Sequence, residues 1–145
     1  MFSFVLSKSK LDSFSSIFSQ HLFPGDIVLL YGDMGAGKTT FTRSLASHFG
    51  IENVNSPTFS LANKYEGDLK INHIDLYRLN NETDFYSFDL DRYLNDKESV
   101  TLIEWSEKLG SFMPEQYWKV ELDYVDDDKR KVTINRIAND DRAEA

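Results

Sequence analysis

The stretch "YGDMGAGKTTFTRSL" (31–45) places Gly32, Gly37, Lys38 and Thr39 at the spacing G-x-x-x-x-G-K-[ST]. It is preceded by the apolar run "IVLLY" (27–31) and followed by Phe41, Leu45 and Phe49, which share one face of a helix closed by Gly50. A strand, a glycine-rich turn and a helix in this order form a phosphate-binding loop. Its glycines let the backbone turn inward, so that the N–H groups of Asp33, Met34, Gly35, Ala36, Gly37, Lys38, Thr39 and Thr40 can face an anion. The helix that follows adds the positive end of its dipole. In this pattern Lys38 reaches the β- and γ-phosphates and the Thr39 hydroxyl is a ligand to Mg²⁺. The apolar run is of the kind buried on both faces of a parallel sheet, so the loop also constrains the fold.

The flanking pattern extends that sheet. Phe2, Phe4 and Leu6 alternate as a short strand, and Ser9 with Asp12 resembles a helix start. Leu11, Phe14, Phe18 and Leu22 recur at helical spacing until "FPGD" (23–26). Residues 59–65 and 69–75 read as a hairpin around "EGD", and "TDFYSFDLDRYL" (83–94) as a helix capped by Thr83. "SVTLI" (99–103) is a second apolar strand ending in Glu104, and "SEKLG" a helical turn. Trp118, Val120, Leu122 and Tyr124 alternate up to the turn "DDDK" (126–129), after which Val132 and Ile134 continue the meander. The expected architecture is α/β, with one domain over 1–138 and a disordered tail over 139–145.

A phosphate loop that also cleaves phosphate needs a carboxylate for the metal shell and a group to orient the nucleophile. Asp75 closes "KINHID" and Glu104 closes "VTLIE". Ligands of open α/β sheets sit outside the carboxyl ends of the strands, which would bring both acids to the loop. Thr58, in "NSPTF" (55–59), falls where switch segments present a threonine to Mg²⁺ or the γ-phosphate.

Composition narrows the partners. The chain has 145 residues, 16 basic and 24 acidic, for a net charge of −8, which disfavours unaided binding to a nucleic-acid backbone. It has no cysteine, which excludes disulfides and thiolate chemistry and fits a reducing cytoplasm. No apolar run approaches the roughly 20 residues of a membrane span, and the N-terminus lacks a leader pattern, so a soluble cytoplasmic protein is expected. His21, His48 and His73 do not have metal-site grouping.

"GDMGAGKTTFTRSLASHFGI", "VNSPTFSLANKY", "HIDLYRL", "LIEW" and "MPE" occur in the order and spacing of the TsaE (YjeE) family, and the resemblance covers about residues 10–125. The resemblance implies a P-loop NTPase fold with a mixed, mostly parallel central sheet flanked by helices. It also implies ATP/ADP and Mg²⁺ as ligands, and slow, partner-dependent ATP hydrolysis. The family acts with TsaB and TsaD, which place threonylcarbamoyl on the adenosine beside the anticodon of tRNA, and tRNA is met only through that complex.

By this resemblance Lys38 and Thr39 match the phosphate and Mg²⁺ ligands, Thr58 the switch-like threonine and Asp75 a carboxylate associated with the metal. Glu104 matches the essential acid, at the metal site and as a general base toward water, and Trp105 covers the site or touches a partner. Two departures stand out. Met34 replaces the usual Leu, and "FYSFDLDRYL" lacks the Gly the family often has near Ser87, Phe88 and Asp89.

Three other readings compete. A small P-loop kinase would use the same loop, but Arg78, Arg92, Arg130 and Arg136 are scattered rather than grouped as a lid. A GTP switch would read guanine through N-K-x-D, whereas "NKYE" (63–66) ends in Glu and follows Lys38 too soon. A nucleotide-controlled scaffold would bind ATP and barely hydrolyse it.

Overall fold

The computed structural model describes residues 2–33, 36–55, 61–79, 84 and 88–138. Its organising element is β2 (Ile27–Tyr31), in which Ile27, Val28, Leu29 and Leu30 are all buried. A strand that is apolar on both faces must lie inside a sheet with both faces covered. β2 accordingly stands fourth in a seven-stranded sheet of order β1-β7-β6-β2-β5-β4-β3.

The remaining strands are β1 (Phe2–Ser7), β3 (Ala62–Tyr65), β4 (Lys70–Asp75), β5 (Ser99–Glu104), β6 (Tyr117–Tyr124) and β7 (Lys129–Ile137). The central pairings β6–β2, β2–β5 and β5–β4 are parallel. The outer pairings β1–β7, β7–β6 and β4–β3 are antiparallel. This is a mixed α/β sheet, parallel in the centre, and the expected hairpin over "EGD" is present as β3–β4.

Alternation divides the core into two layers. One face carries Val28, Leu30, Ile71, Val100, Leu102, Val120, Leu122 and Val132, covered by α1 (Lys8–Ser19) and α2 (Lys38–Ser47). Phe18 and Phe41 lock those two helices together, with ring centroids 6.1 Å apart. The other face carries Ile27, Leu29, Ile74 and Ile103, covered by α3 (Leu90–Leu94) and by two 3-10 turns, Ser106–Lys108 and Gly110–Phe112.

Two expected helix boundaries need correction. α1 begins at Lys8, directly after β1, because Ser7 is extended (φ −70°, ψ 157°) and the Lys8 N–H is taken by the Asp128 carbonyl at 2.8 Å. Ser9 therefore lies in the first turn. The helix expected over 83–94 is not continuous: Asp89 adopts φ 61°, ψ 52°, and α3 starts after it. Asp89 here takes the left-handed conformation that a Gly would adopt with least strain, at the point where the chain lacks one. Residues 80–83 and 85–87, with the Thr83 cap, lie outside the described residues, as do Thr58 and the tail 139–145.

Candidate active site

β2 ends at Tyr31 and the chain turns at Gly32, whose φ is +143°. A Cβ on Gly32 would lie 2.3 Å from the Leu122 carbonyl oxygen of β6, so backbone contact across the sheet forbids any side chain there. The Ala36 N–H then donates to the Asp33 carbonyl at 3.0 Å, and Gly37 at φ +104° opens α2. Among the described residues no side chain caps this helix start, and a Cβ on Gly37 would meet nothing within 4 Å. The turn thus leaves open space before the positive end of a ten-residue helix, the setting in which an anion is favoured.

Lys38 is buried, with 6% of its surface exposed. Its Nζ donates to the Gly32 carbonyl at 2.6 Å and lies 4.3 Å from the centroid of the Trp105 ring. A backbone dipole and an aromatic face therefore hold a desolvated cation in place at the loop.

The acids arrive through the sheet register. Asp75 is directly opposite Glu104 in the parallel pair β4–β5. Both follow the alternation of Ile71 and Leu102, so they share the face that carries α2. Glu104 is buried, and Asp75 is half-buried and accepts the Tyr77 N–H at 2.9 Å through Oδ1. Burial raises the Asp75 carboxyl above its usual value; the Tyr77 N–H opposes this, the Glu104 charge adds to it, and His73 and Lys38 oppose it.

After Glu104 the chain reverses through Trp105 at φ 60°, which lays the indole over Lys38 and 5.0 Å from the Tyr77 ring. Lys108 fixes the segment beyond Asp75, donating to the carbonyls of Tyr77 and Leu79 at 2.5 and 3.2 Å. Gly37, Lys38, Thr39, Thr40, Asp75, Tyr77, Glu104 and Trp105 together line a pocket of about 350 Å³. A larger hollow of about 750 Å³ lies at the opposite end of β2, beside Gly25, Ile27, Lys97 and Gln116, and contains none of the loop residues.

The structure therefore gathers Gly37, Lys38, Thr39, Thr40, Asp75, Glu104 and Trp105 in one pocket. Asp33 and Ala36 belong to the loop without lining it; Asp33 is exposed and the Ala36 side chain packs in the core. Met34, Gly35 and Thr58 lie outside the described residues. Among the described residues no three His, Cys, Asp or Glu side chains cluster as a closed metal cage. A hydroxyl and two carboxylates suit a Mg²⁺ that completes its shell with water and phosphate oxygens. The uncapped helix start, the open space at Gly37 and the buried Lys38 suit a polyphosphate.

His73, Tyr77 and Lys108 were not among the residues expected here. The His73 Nε2 lies 2.5 Å from Glu104 Oε2, and both side chains are buried. Period two was the available signal, since His73 and Asp75 must share a face of one strand. His48 instead meets Asp12, 3.3 Å away on the surface of α1. No helix among the described residues is long and apolar enough to cross a membrane.

Comparison with known proteins shows the family and the fold. The family described as "Threonylcarbamoyl adenosine biosynthesis protein TsaE" matches residues 5–132. The protein named "tRNA threonylcarbamoyladenosine biosynthesis protein TsaE" from Rickettsia prowazekii is 38% identical over 133 residues, covering 90% of this chain and 91% of the relative. The protein of the same name from Bacillus subtilis is 37% identical over 118 residues, covering 80% and 73%. The one from Treponema pallidum is 34% identical over 132 residues, covering 89% and 97%. The crystal structure of Bacillus subtilis YdiB superposes with a TM-score of 0.78 at 27% identity, covering 94% of this chain and 86% of that one.

Proposed function

This chain belongs to the TsaE family, and from that premise we propose that it binds ATP with Mg²⁺ and hydrolyses it slowly, in service of threonylcarbamoylation of the adenosine next to the anticodon in tRNA. The observation that carries the ATPase reading is the meeting of Lys38 and Thr39 with the facing acids Asp75 and Glu104 in one pocket. The pathway reading rests on the family and on the names its relatives carry.

In this reading the loop from Asp33 to Thr40, with Met34 and Gly35, wraps the phosphates, and Lys38 neutralises their charge. Thr39 and Asp75 would hold Mg²⁺, Thr58 would serve as the switch-like threonine, and Glu104 would join the metal shell or orient water as general base. Bound MgATP would supply the terminal phosphoanhydride whose cleavage resets the partner complex. Trp105 and Tyr77, with ring centroids 5.0 Å apart, both line the pocket.

The protein acts on a TsaB–TsaD complex in the cytoplasm and does not itself transfer the threonylcarbamoyl group. A net charge of −8 supports contact with tRNA through that complex rather than directly. A kinase reading has less support, because no Arg lines the pocket among the described residues.

The test is mass spectrometry of tRNA nucleosides after depletion of this protein, with add-back of wild type, Lys38→Ala and Glu104→Gln. Loss of threonylcarbamoyladenosine that wild type alone restores is expected. Unchanged modification after complete depletion would remove this protein from the pathway.

A further inference from the structure

We propose that His73 is a positioning residue for Glu104, holding one carboxylate oxygen from within the sheet so that the other is turned to the pocket. This rests on the reading of Glu104 as the acid that orients water. His73 lies opposite Leu102 and Asp75 lies opposite Glu104, which makes His73 and Glu104 diagonal neighbours on one face of β4–β5. Nε2 and Oε2 are 2.5 Å apart, with the His73 side chain fully buried and that of Glu104 5% exposed.

A carboxylate this far from water needs a hydrogen-bond donor. Lys38 donates to the Gly32 carbonyl, and among the described residues His73 supplies the side-chain hydrogen bond to Glu104. The bond also selects the tautomer. His73 Nδ1 is buried and has no hydrogen-bond partner among the described residues. A proton on Nε2 is donated to Glu104 and leaves Nδ1 as a bare acceptor. A proton on Nδ1 would strand a buried N–H and point the Nε2 lone pair at the carboxylate.

Packing alone gives no reason for an imidazole at this position. Its strand neighbours on the same face are Ile71 and Asp75, and its cross-strand partner is Leu102, so an apolar side chain would fill the space beside Ile71 and Leu102 without leaving a ring nitrogen unpaired. The hydrogen-bonding use of the ring is through Glu104. A Glu has three side-chain torsions, and the bond to His73 removes the freedom that would let its carboxylate swing away from a water in the pocket.

The experiment compares wild type, His73→Leu, His73→Gln and Glu104→Gln as full chains. Gln can place an amide N–H near the position of Nε2, whereas Leu cannot. In nucleotide-free protein, ¹⁵N spectra of the His73 imidazole should report a proton on Nε2 that exchanges slowly with water and shifts in Glu104→Gln. With protein in excess over MgATP, His73→Leu should keep the wild-type dissociation constant within about twofold while single turnover slows about 10- to 100-fold, with His73→Gln recovering much of the loss.

Turnover at the wild-type rate in a folded His73→Leu would overturn the proposal, as would an Nε2 that carries no proton. If His73→Leu does not fold, His73→Gln and the imidazole spectra decide. Turnover unaffected by Glu104→Gln would instead refute the role given to Glu104. The nucleotide-free spectra would still establish or exclude its bond to His73.

Discussion

The Lys38 ammonium lies between the Gly32 carbonyl, 2.6 Å away, and the face of Trp105, 4.3 Å from the ring centroid. A phosphate group offers this cation a stronger, charge-assisted partner than a neutral carbonyl and an indole face. Trp105 should therefore report ligand arrival. With Trp118, the other tryptophan, replaced by Phe, Trp105 emission should change saturably with MgATP, and Lys38→Ala should abolish the change. Lys38→Ala should also remove the stabilisation of about 2.7 kcal/mol expected with ATP at 100 times its dissociation constant, measured by thermal melts.

Gly32 and Gly37 should differ in their tolerance of alanine. At Gly32 the new methyl meets the Leu122 carbonyl at 2.3 Å, so Gly32→Ala must displace the loop or β6 and should cost at least about 2 kcal/mol in chemical denaturation. At Gly37 the space is open and the strain is that of φ +104° alone, so Gly37→Ala should cost about 1–2 kcal/mol. Equal losses would mean that the close approach at Gly32 is not what restricts it.

Asp75 faces Glu104 in register, and burial raises its carboxyl above the usual 3.8. The folded state therefore binds this proton more tightly than the unfolded state, and stability falls as pH rises from 3.8 through the raised value. Without nucleotide or metal, Asp75→Asn should melt at or above wild type at pH 7, with the gain disappearing at pH 3. With ATP, the part of the stabilisation that depends on Mg²⁺ should be lost in the variant.

Asn72 has the opposite pH signature. Its Nδ2 donates to Asp96 at 3.0 Å and to Thr101 at 3.2 Å, tying the chain after α3 to the sheet. That hydrogen bond is the main cause holding the Asp96 carboxyl below 3.8, so its contribution is present above 3.8 and is lost as pH falls through the folded value. Asn72→Ala should lose about 1–3 kcal/mol at pH 7 and less in acid, as measured by urea denaturation at the two pH values.

Much of this arrangement was legible in the residues themselves. "IVLLY" announced a strand buried on both faces, the glycine spacing announced the loop, and Asp75 and Glu104 were marked by closing apolar runs. Their face-to-face register was not legible, because pairing between strands separated by a long crossover depends on the whole sheet. For the same reason His73 read as an ordinary strand residue until β5 was set beside β4. The break at Asp89 was hidden because its neighbours carry a helical pattern, and a single left-handed residue leaves that pattern intact. The hydrogen bonds from Lys108 to Tyr77 and Leu79 depend on the turn made by Trp105, which no local signal specified.

In the proposed function Glu104 serves hydrolysis rather than nucleotide binding. That role is tested most directly by measuring MgATP affinity and single-turnover hydrolysis together in wild type and Glu104→Gln. The variant should keep its affinity within about twofold and lose turnover by about 100-fold or more, the range associated with loss of a positioned general base. Wild-type turnover in Glu104→Gln would contradict it, as would a loss of affinity large enough to explain the whole effect.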